Sequence, residues 1–425
     1  MITEEFLHYV WKLKLFNQKN LFTEQGEALS IIKTGEHNND AGPDFFNAKI
    51  KIGKTTWAGN VEIHTLASDW KKHKHQNDAA YNNVILHVVY KNDIALHRKS
   101  GENFPTLVLD SLIPRHLLDN YNTIQKSTHW IPCEKQLKDI DAFVVKNWLD
   151  RMLVERLERK TKSILDSLAI NKNNWEETFY QHISKSFGFK INSVPFELLA
   201  KSIPNKLLAK HKNSLLQIES LLYGQAGFLE LPYIDKYALQ LQNEYAFLQN
   251  KYSLAPIEKH LWKNMRLHPS NFPCVRIAQF AALIYKSSHL FSKILEAKSI
   301  IDLKKLLSVE TSEYWTTHYQ FDKQSPLKKK KLGADGIENI IINTVVPLYF
   351  AYGKTKKEEG YVNLAMDLLE QLKSEKNSII TKWNKIGIAT ASAFDSQALL
   401  ELKNEYCSHK KCLHCSVGNK LLNRV

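Results

Sequence analysis

Glycine and proline are both scarce, 15 and 12 among 425 residues, against average usage of about 7% and 5%. So few chain breakers point to a largely helical protein with few long loops. Long apolar runs are missing too. The most apolar late stretch, IIINTVVPLYFAYG, is interrupted by Asn343 and Pro347 and falls short of the roughly 20 residues a membrane-spanning helix needs. No membrane partner is expected. The opening residues, MITEEFLHYVWKLKLF, lack an apolar core ahead of a small-residue cleavage site, so no secretory signal is visible. Cysteine is rare, with three of the five in the last twenty residues, unlike a secreted disulfide framework. These features place the chain in the cytoplasm. G-x-S-x-G and the dinucleotide-binding fingerprint are absent as well. GKTT at Gly53 to Thr56 imitates the end of a phosphate-binding loop, but that loop needs a glycine where Ala48 stands. It reads as a hairpin turn.

What is present is ordinary in amount and uneven in place. Hydrophobic residues make up 44% and charged residues 24%, the balance of a soluble globular protein. The length suits two or three domains better than one. The net charge is +14, yet basic and acidic residues nearly balance over residues 1–115, so almost all the excess lies beyond them. A basic surface attracts polyanions such as nucleic acid without specifying which. It also serves plain solubility.

The first 115 residues have an α/β pattern. Ile2, Phe6, Tyr9, Val10, Leu13 and Phe16 keep one helical face apolar. EALSIIKTG, DFFNAKIKI, TTWAGNVEIHTL, NNVILHVVY and TLVLD read as strands, the second and third joined around Gly53-Lys54. SDWKKHKHQNDAAY reads as a helix, with Ser68 as N-cap. Beyond Asp139 the apolar spacing is helical, beginning with Leu149, Leu153, Leu157 and Ile164, with no fixed-period repeat. The expected fold is α+β. A mixed α/β domain (1–115) and a linker (116–138) lead to a large all-α helical domain (139–403) and a cysteine-bearing tail (404–425).

Asp44 follows Gly-Pro at the start of a strand, and Glu62 and His64, two apart on the next strand, share a face. Two carboxylates brought together by a hairpin suit a hard divalent cation, Mg²⁺ or Mn²⁺. Such an ion polarises a phosphodiester and lowers the pKa of an attacking water. Parity decides whether the carboxylates meet. A two-residue turn without a bulge would put Asp44 and Glu62 on opposite faces; a three-residue turn, or a bulge such as Gly59 could supply, would bring them together.

This arrangement resembles the PD-(D/E)XK, or restriction-endonuclease-like, nuclease superfamily, whose core runs helix, three strands, helix, strand. Pro43-Asp44 and Glu62-x-His64 stand at the places of its motif. The resemblance implies Asp44 and Glu62 as metal ligands and a further glutamate from the first helix, Glu5 or alternatively Glu4. It also implies nucleic acid, DNA before RNA, as the partner. The superfamily most often has lysine where this chain has His64. A lysine brings a fixed positive charge; a histidine does so only when protonated, and otherwise serves as a base or metal ligand. Stretches from NNDAGPDFFNAKI through SNFPCVRIAQFAAL to YCSHKKCLHCSVG also resemble a bacterial family of uncharacterised proteins along nearly the whole chain. That likeness implies membership and no activity.

Asp69 and His73, four apart on the expected helix, can meet, and the helix can aim His73 at the site. His75 reads as a solvated helix residue and His87 as a hydrogen-bonded core histidine. In the tail, Cys407-x4-Cys412-x2-Cys415 is expected to bind metal. Zinc would take His409 or His414 as fourth ligand; an iron–sulfur cluster would take Cys133 or Cys274. Some nucleases of the resembled superfamily carry such a cluster. Trp148, Trp175, Tyr180, Trp262 and Trp315 lie among basic residues and offer stacking faces for bases, although their spacing suits core packing better. PLKKKKLG suits phosphate contact or simple solvation. The favoured reading is a metal-dependent nuclease with Asp44, Glu62, His64, Glu5 and His73 as its catalytic set. The alternative is a nucleic-acid-binding or scaffolding protein without catalysis. The sequence does not specify an oligomeric state.

Overall fold

β-Branched residues alternating with polar ones build a mixed sheet in the N-terminal part. Its strands are β1 (Leu21–Phe22), β2 (Ala28–Lys33), β3 (Glu36–His37), β4 (Phe45–Ile52), β5 (Thr55–Leu66), β6 (Val84–Lys91) and β7 (Thr106–Val108). Their order is β1-β2-β4-β5-β6-β7, with β3 beside β4. Pairing is antiparallel as far as β5 and parallel from β5 to β7. A parallel step needs a crossover, and residues 67–83 supply it. Val84 to Val89 are all buried, as suits a near-continuous apolar strand covered on both faces. Helix α1 (Glu4–Lys12) packs against β5, burying Phe6, Leu7, Val10 and Trp11 completely. Thr3 Oγ1 caps it by accepting from the Phe6 amide.

The computed structural model describes residues 2–98, 101–287 and 289–424. They fall into two units, residues 1–148 with 402–425, and residues 149–401. The first holds the sheet, α1, the short α2 (Asp69–Lys72), α3 (Arg115–Lys126) and a C-terminal helix (Ser416–Leu422). The division falls within α4 (Ala142–Ile170). The second unit is helical apart from a small ribbon pairing His318–Gln320 with Lys323–Gln324. The protein is thus α+β, sheet-rich near its N-terminus and helical beyond. Among the described residues no helix is long and apolar enough to cross a membrane.

Two local expectations change. The helix expected over 68–81 is only the single turn of α2, followed by 3₁₀ turns at His75–Asn77 and Ala79–Tyr81. Lys74 sits at φ +63°, a left-handed conformation that no α-helix continues through. Ser68 precedes α2 but makes no side-chain cap. The basic loop is also less free than it reads. Lys330 is buried, its Nζ donating to the Thr316 carbonyl at 3.1 Å and lying over the Tyr319 ring. Lys329 and Lys331 both face Glu310. Trp148, Tyr180, Trp262 and Trp315 are buried, so packing wins over base stacking for these four; Trp175 is half-buried.

Within the second unit, a π-helical segment, Ile341–Val345, precedes Pro347. Pro347 has no N–H to give the carbonyl four residues back, and the wider turn absorbs the loss. Asn343 in this segment accepts from Lys160 Nζ at 2.8 Å. Burial pushes the Lys160 ammonium down to about 7 from its usual 10.5, because the charged form is the one that loses hydration. Below pH 7 the folded chain carries this partly buried charge at a cost. Between pH 7 and 10.5 only the unfolded chain keeps the proton, so stability rises with pH. Lys160→Met is therefore expected to stabilise the protein at pH 6 to 7. Its advantage over wild type should shrink by about 1.4 kcal/mol per pH unit towards pH 9, measured by urea unfolding across that range.

Candidate functional site

The hairpin decides what meets what. Gly53 and Lys54 form a two-residue turn, with Ile52 opposite Thr55 and Ala48 opposite Gly59. Continued unchanged, this register would separate Asp44 from Glu62. It shifts between Ala48 and Phe45, so that Phe45 pairs with Val61. The extra residue is a bulge on β4, where Asn47 takes φ +55°. Gly59 is not the bulged residue; it lets the chain entering β6 approach, since a Cβ there would lie 2.7 Å from the Asn83 carbonyl oxygen.

The bulge sets Asp44 beside Glu62. The Asp44 amide donates to Glu62 Oε2 at 3.1 Å, and the Ile63 amide donates to Asp44 Oδ2 at 2.8 Å. His8, one turn beyond Glu4 on α1, places Nε2 3.2 Å from Asp44 Oδ2. Glu62 and His64 are both buried. Glu62 Oε1 lies 3.2 Å from His75 Nε2 and 3.5 Å from His64 Nε2. His64 Nε2 is 3.3 Å from both His73 Nδ1 and His75 Nε2. In a continuous helix His73 and His75 would point to different sides. The left-handed Lys74 between them lets both reach His64.

Behind His64, its Nδ1 meets His87 Nε2 at 2.8 Å. The two nitrogens share one hydrogen; when His64 gives it, His64 Nε2 turns a lone pair to the group. Burial, then the neighbouring histidines, push His64 down to about 2, and burial pushes His87 down to about 3. Both are neutral at ordinary pH, so His64 does not supply the positive charge of a lysine. Burial holds the Glu62 carboxyl above its usual range, against the opposing hydrogen bond from His75. A cation at their centre would take up the lone pairs of these nitrogens in place of the hydrogen that His75 gives Glu62. His64, His73 and His75 have ligand atoms close enough to share one metal ion, and imidazole suits Zn, Cu, Fe and Ni.

Of the residues expected from sequence, Asp44, Glu62, His64 and His73 come together. Glu5 does not join them. It is exposed and faces His414 Nε2 at 3.0 Å. Glu4 takes its place: burial raises its carboxyl, while His73, Asp44 and His8 act on it through space. His75, read as solvated, belongs to the cluster. His8 was missed, although its i+4 relation to Glu4 is the signal that could have found it. Asp69 turns back to accept from the Leu66 amide. Tyr81 stacks on His75, with ring centroids 3.9 Å apart. In the tail, Cys412 and Cys415 are buried and Cys407 partly so, while His409 and His414 are exposed. Cys274 is buried inside the second unit.

Fold and site define a mixed-sheet protein with a partly buried carboxylate–imidazole cluster on its sheet-bearing unit. Residues 4–378 match the family described as "Protein of unknown function (DUF2851)", and the chain belongs to that family. No curated protein and no solved structure matches it.

Because Asn47 is exposed, its substitution tests the bulge through the backbone alone. Asn47→Val places a β-branched residue at positive φ and is expected to cost about 1–3 kcal/mol. Asn47→Gly should be neutral or slightly stabilising. Urea unfolding of both variants checks this.

Proposed function

We propose that the protein is a metal-dependent phosphodiester hydrolase acting on nucleic acid, with Asp44, Glu62, His64, His73 and His75 as its metal-binding set. The observation that carries this reading is the meeting of His64, His73 and His75 with the Glu62 carboxylate, to which Asp44 gives its amide, beside one hairpin. The order α1, β2, β4, β5, α2, β6 follows the restriction-endonuclease-like core that the motif resembles. The donor set fits a divalent ion, and its imidazoles favour a transition metal such as Zn²⁺ over Mg²⁺ or Mn²⁺, which prefer oxygen.

When bound, the ion would polarise the phosphodiester and lower the pKa of an attacking water. The chain's own part is positioning. Asp44 is fixed by the Ile63 amide and by His8, and Glu62 by the Asp44 amide. His87 holds the ring of His64. Since His64 is neutral, it acts as a ligand or proton acceptor and not as a fixed cation. Glu4 faces the cluster and could hold a water. The basic excess beyond residue 115 would attract the polyanion. Its strength as an interface is reduced where Lys329, Lys330 and Lys331 are already engaged.

The departure from lysine at position 64 favours a second reading, a nucleic-acid-binding protein that keeps the fold without catalysis. The test is cleavage of single- and double-stranded DNA and of RNA by the purified full chain with Mn²⁺, Zn²⁺ or Mg²⁺. Asp44→Asn and Glu62→Gln are expected to bring cleavage to background while the melting temperature stays close to wild type. Undiminished cleavage in both variants would remove these residues from the mechanism. Tight binding without cleavage under every metal would instead establish the second reading.

A further inference from the structure

The four cysteines of the first unit come from opposite ends of the sequence to one place. Cys133 follows α3, in a turn where the Gln136 amide donates to its carbonyl at 3.0 Å. The tail returns alongside α3. Asn120 Nδ2 donates to the carbonyls of Leu422 and Arg424 at 3.2 and 2.8 Å, and Lys410 Nζ donates to the Gln125 carbonyl at 2.6 Å. Arg424 pairs with Asp139 at 3.0 Å, and Asn423 reaches Tyr9 on α1 at 2.9 Å. Cys133, Cys407, Cys412 and Cys415 are thereby set close enough for their sulfurs to act on one another. Cys133 and Cys415 interact, Cys412 senses both, and Cys407 senses all three. None of the four is in a disulfide.

The loop that carries three of them is built around its sulfurs. Lys410 adopts φ +51° and the Cys412 amide donates to the Lys410 carbonyl at 2.7 Å. Gly418 is required, because a Cβ there would sit 2.1 Å from the Cys412 carbonyl oxygen. The backbone N–H groups of Val417 and Gly418 are turned towards Cys415 Sγ. Backbone donors aimed at a sulfur suit a metal-bound thiolate. Four cysteines, two buried and two partly so, thus gather with no disulfide between them, a ligand set that a metal centre would hold as thiolates.

We propose that Cys133, Cys407, Cys412 and Cys415 form one four-thiolate site that holds an iron–sulfur cluster. Four sulfur ligands admit zinc or an iron–sulfur cluster. The run C-x4-C-x2-C with one distant cysteine follows a ferredoxin spacing. Structural zinc sites pair their ligands two by two, and Cys133 has no cysteine partner in its own segment. This fixes the fourth ligand as Cys133 and leaves Cys274, His409 and His414 out. Assembly draws on iron, at least half of it already ferric, and on sulfide, so no electron is taken from the protein; the four thiols release their protons as the Fe–S bonds form. The site clamps the tail to the face of the first unit that includes α1, where Glu5 meets His414. It stands independently of the function proposed above.

Full-length protein, purified without oxygen after iron-replete growth, provides the test. The expected result is visible charge-transfer absorption with iron and acid-labile sulfide in equal amounts. Cys133→Ser should lose most of that absorption, while Cys274→Ser and Glu62→Gln keep it. Sulfide separates this centre from any metal at the histidine cluster. The wild-type assay keeps the proposal falsifiable if Cys133→Ser fails to fold. Zinc without sulfide, no metal in the wild type, or a full cluster in folded Cys133→Ser would each overturn the proposal.

Discussion

Two hydrogen bonds exchanged between β4 and β5 hold the centre of the first unit together. Asp44 gives its amide to the Glu62 carboxylate and receives, on its own carboxylate, the amide of Ile63. Each acid is thus fixed by the backbone of the strand that carries the other. Buried carboxylates are costly unless hydrogen-bonded, and here the bonds also set direction. Shifting the register by one residue would turn Glu62 and His64 to the opposite face of the sheet. One exposed asparagine in a left-handed conformation therefore governs the geometry of everything around it.

Position 64 is neutral where the resembled motif carries a charge. Burial of His64 and His87 removes the protonated forms that could imitate lysine. What remains is three imidazole nitrogens, from His64, His73 and His75, beside the Glu62 carboxylate, which burial raises above its usual range. Such a set accepts cations. On the reading proposed above, a polyanion would reach it only with a metal already in place.

Strands were easy to read and the crossover was not. TTWAGNVEIHTL gave β5 at its observed ends, because β-branched residues alternate there and Gly53-Lys54 closes the hairpin. Asp44, Glu62 and His64 were legible for the same reason. The segment after β5 is rich in Lys, His and Asn, with no apolar stripe to hold a helix in register. Its shape is set by Trp70, packed in the core with Ala67, Val84 and Phe104. Nothing local signals the left-handed Lys74, so His75 was read as solvent-facing. Glu5 and Glu4 differ by one helical step, which only the packing of α1 resolves. Likewise Cys133 shares no local pattern with the three late cysteines; their meeting depends on tertiary contacts of α3 and the final helix.

Because residues 402–425 complete a unit begun by residues 1–148, the protein has an order of manufacture built into it. About 250 residues must be synthesised between the two parts, tens of seconds of translation at about 5–20 residues per second. During that interval the sheet can form while α3, α1 and Cys133 wait for their partners. The helical unit is, topologically, an insertion, and its own folding can finish first. A stretch made about 250 residues later closes the unit that the sheet begins.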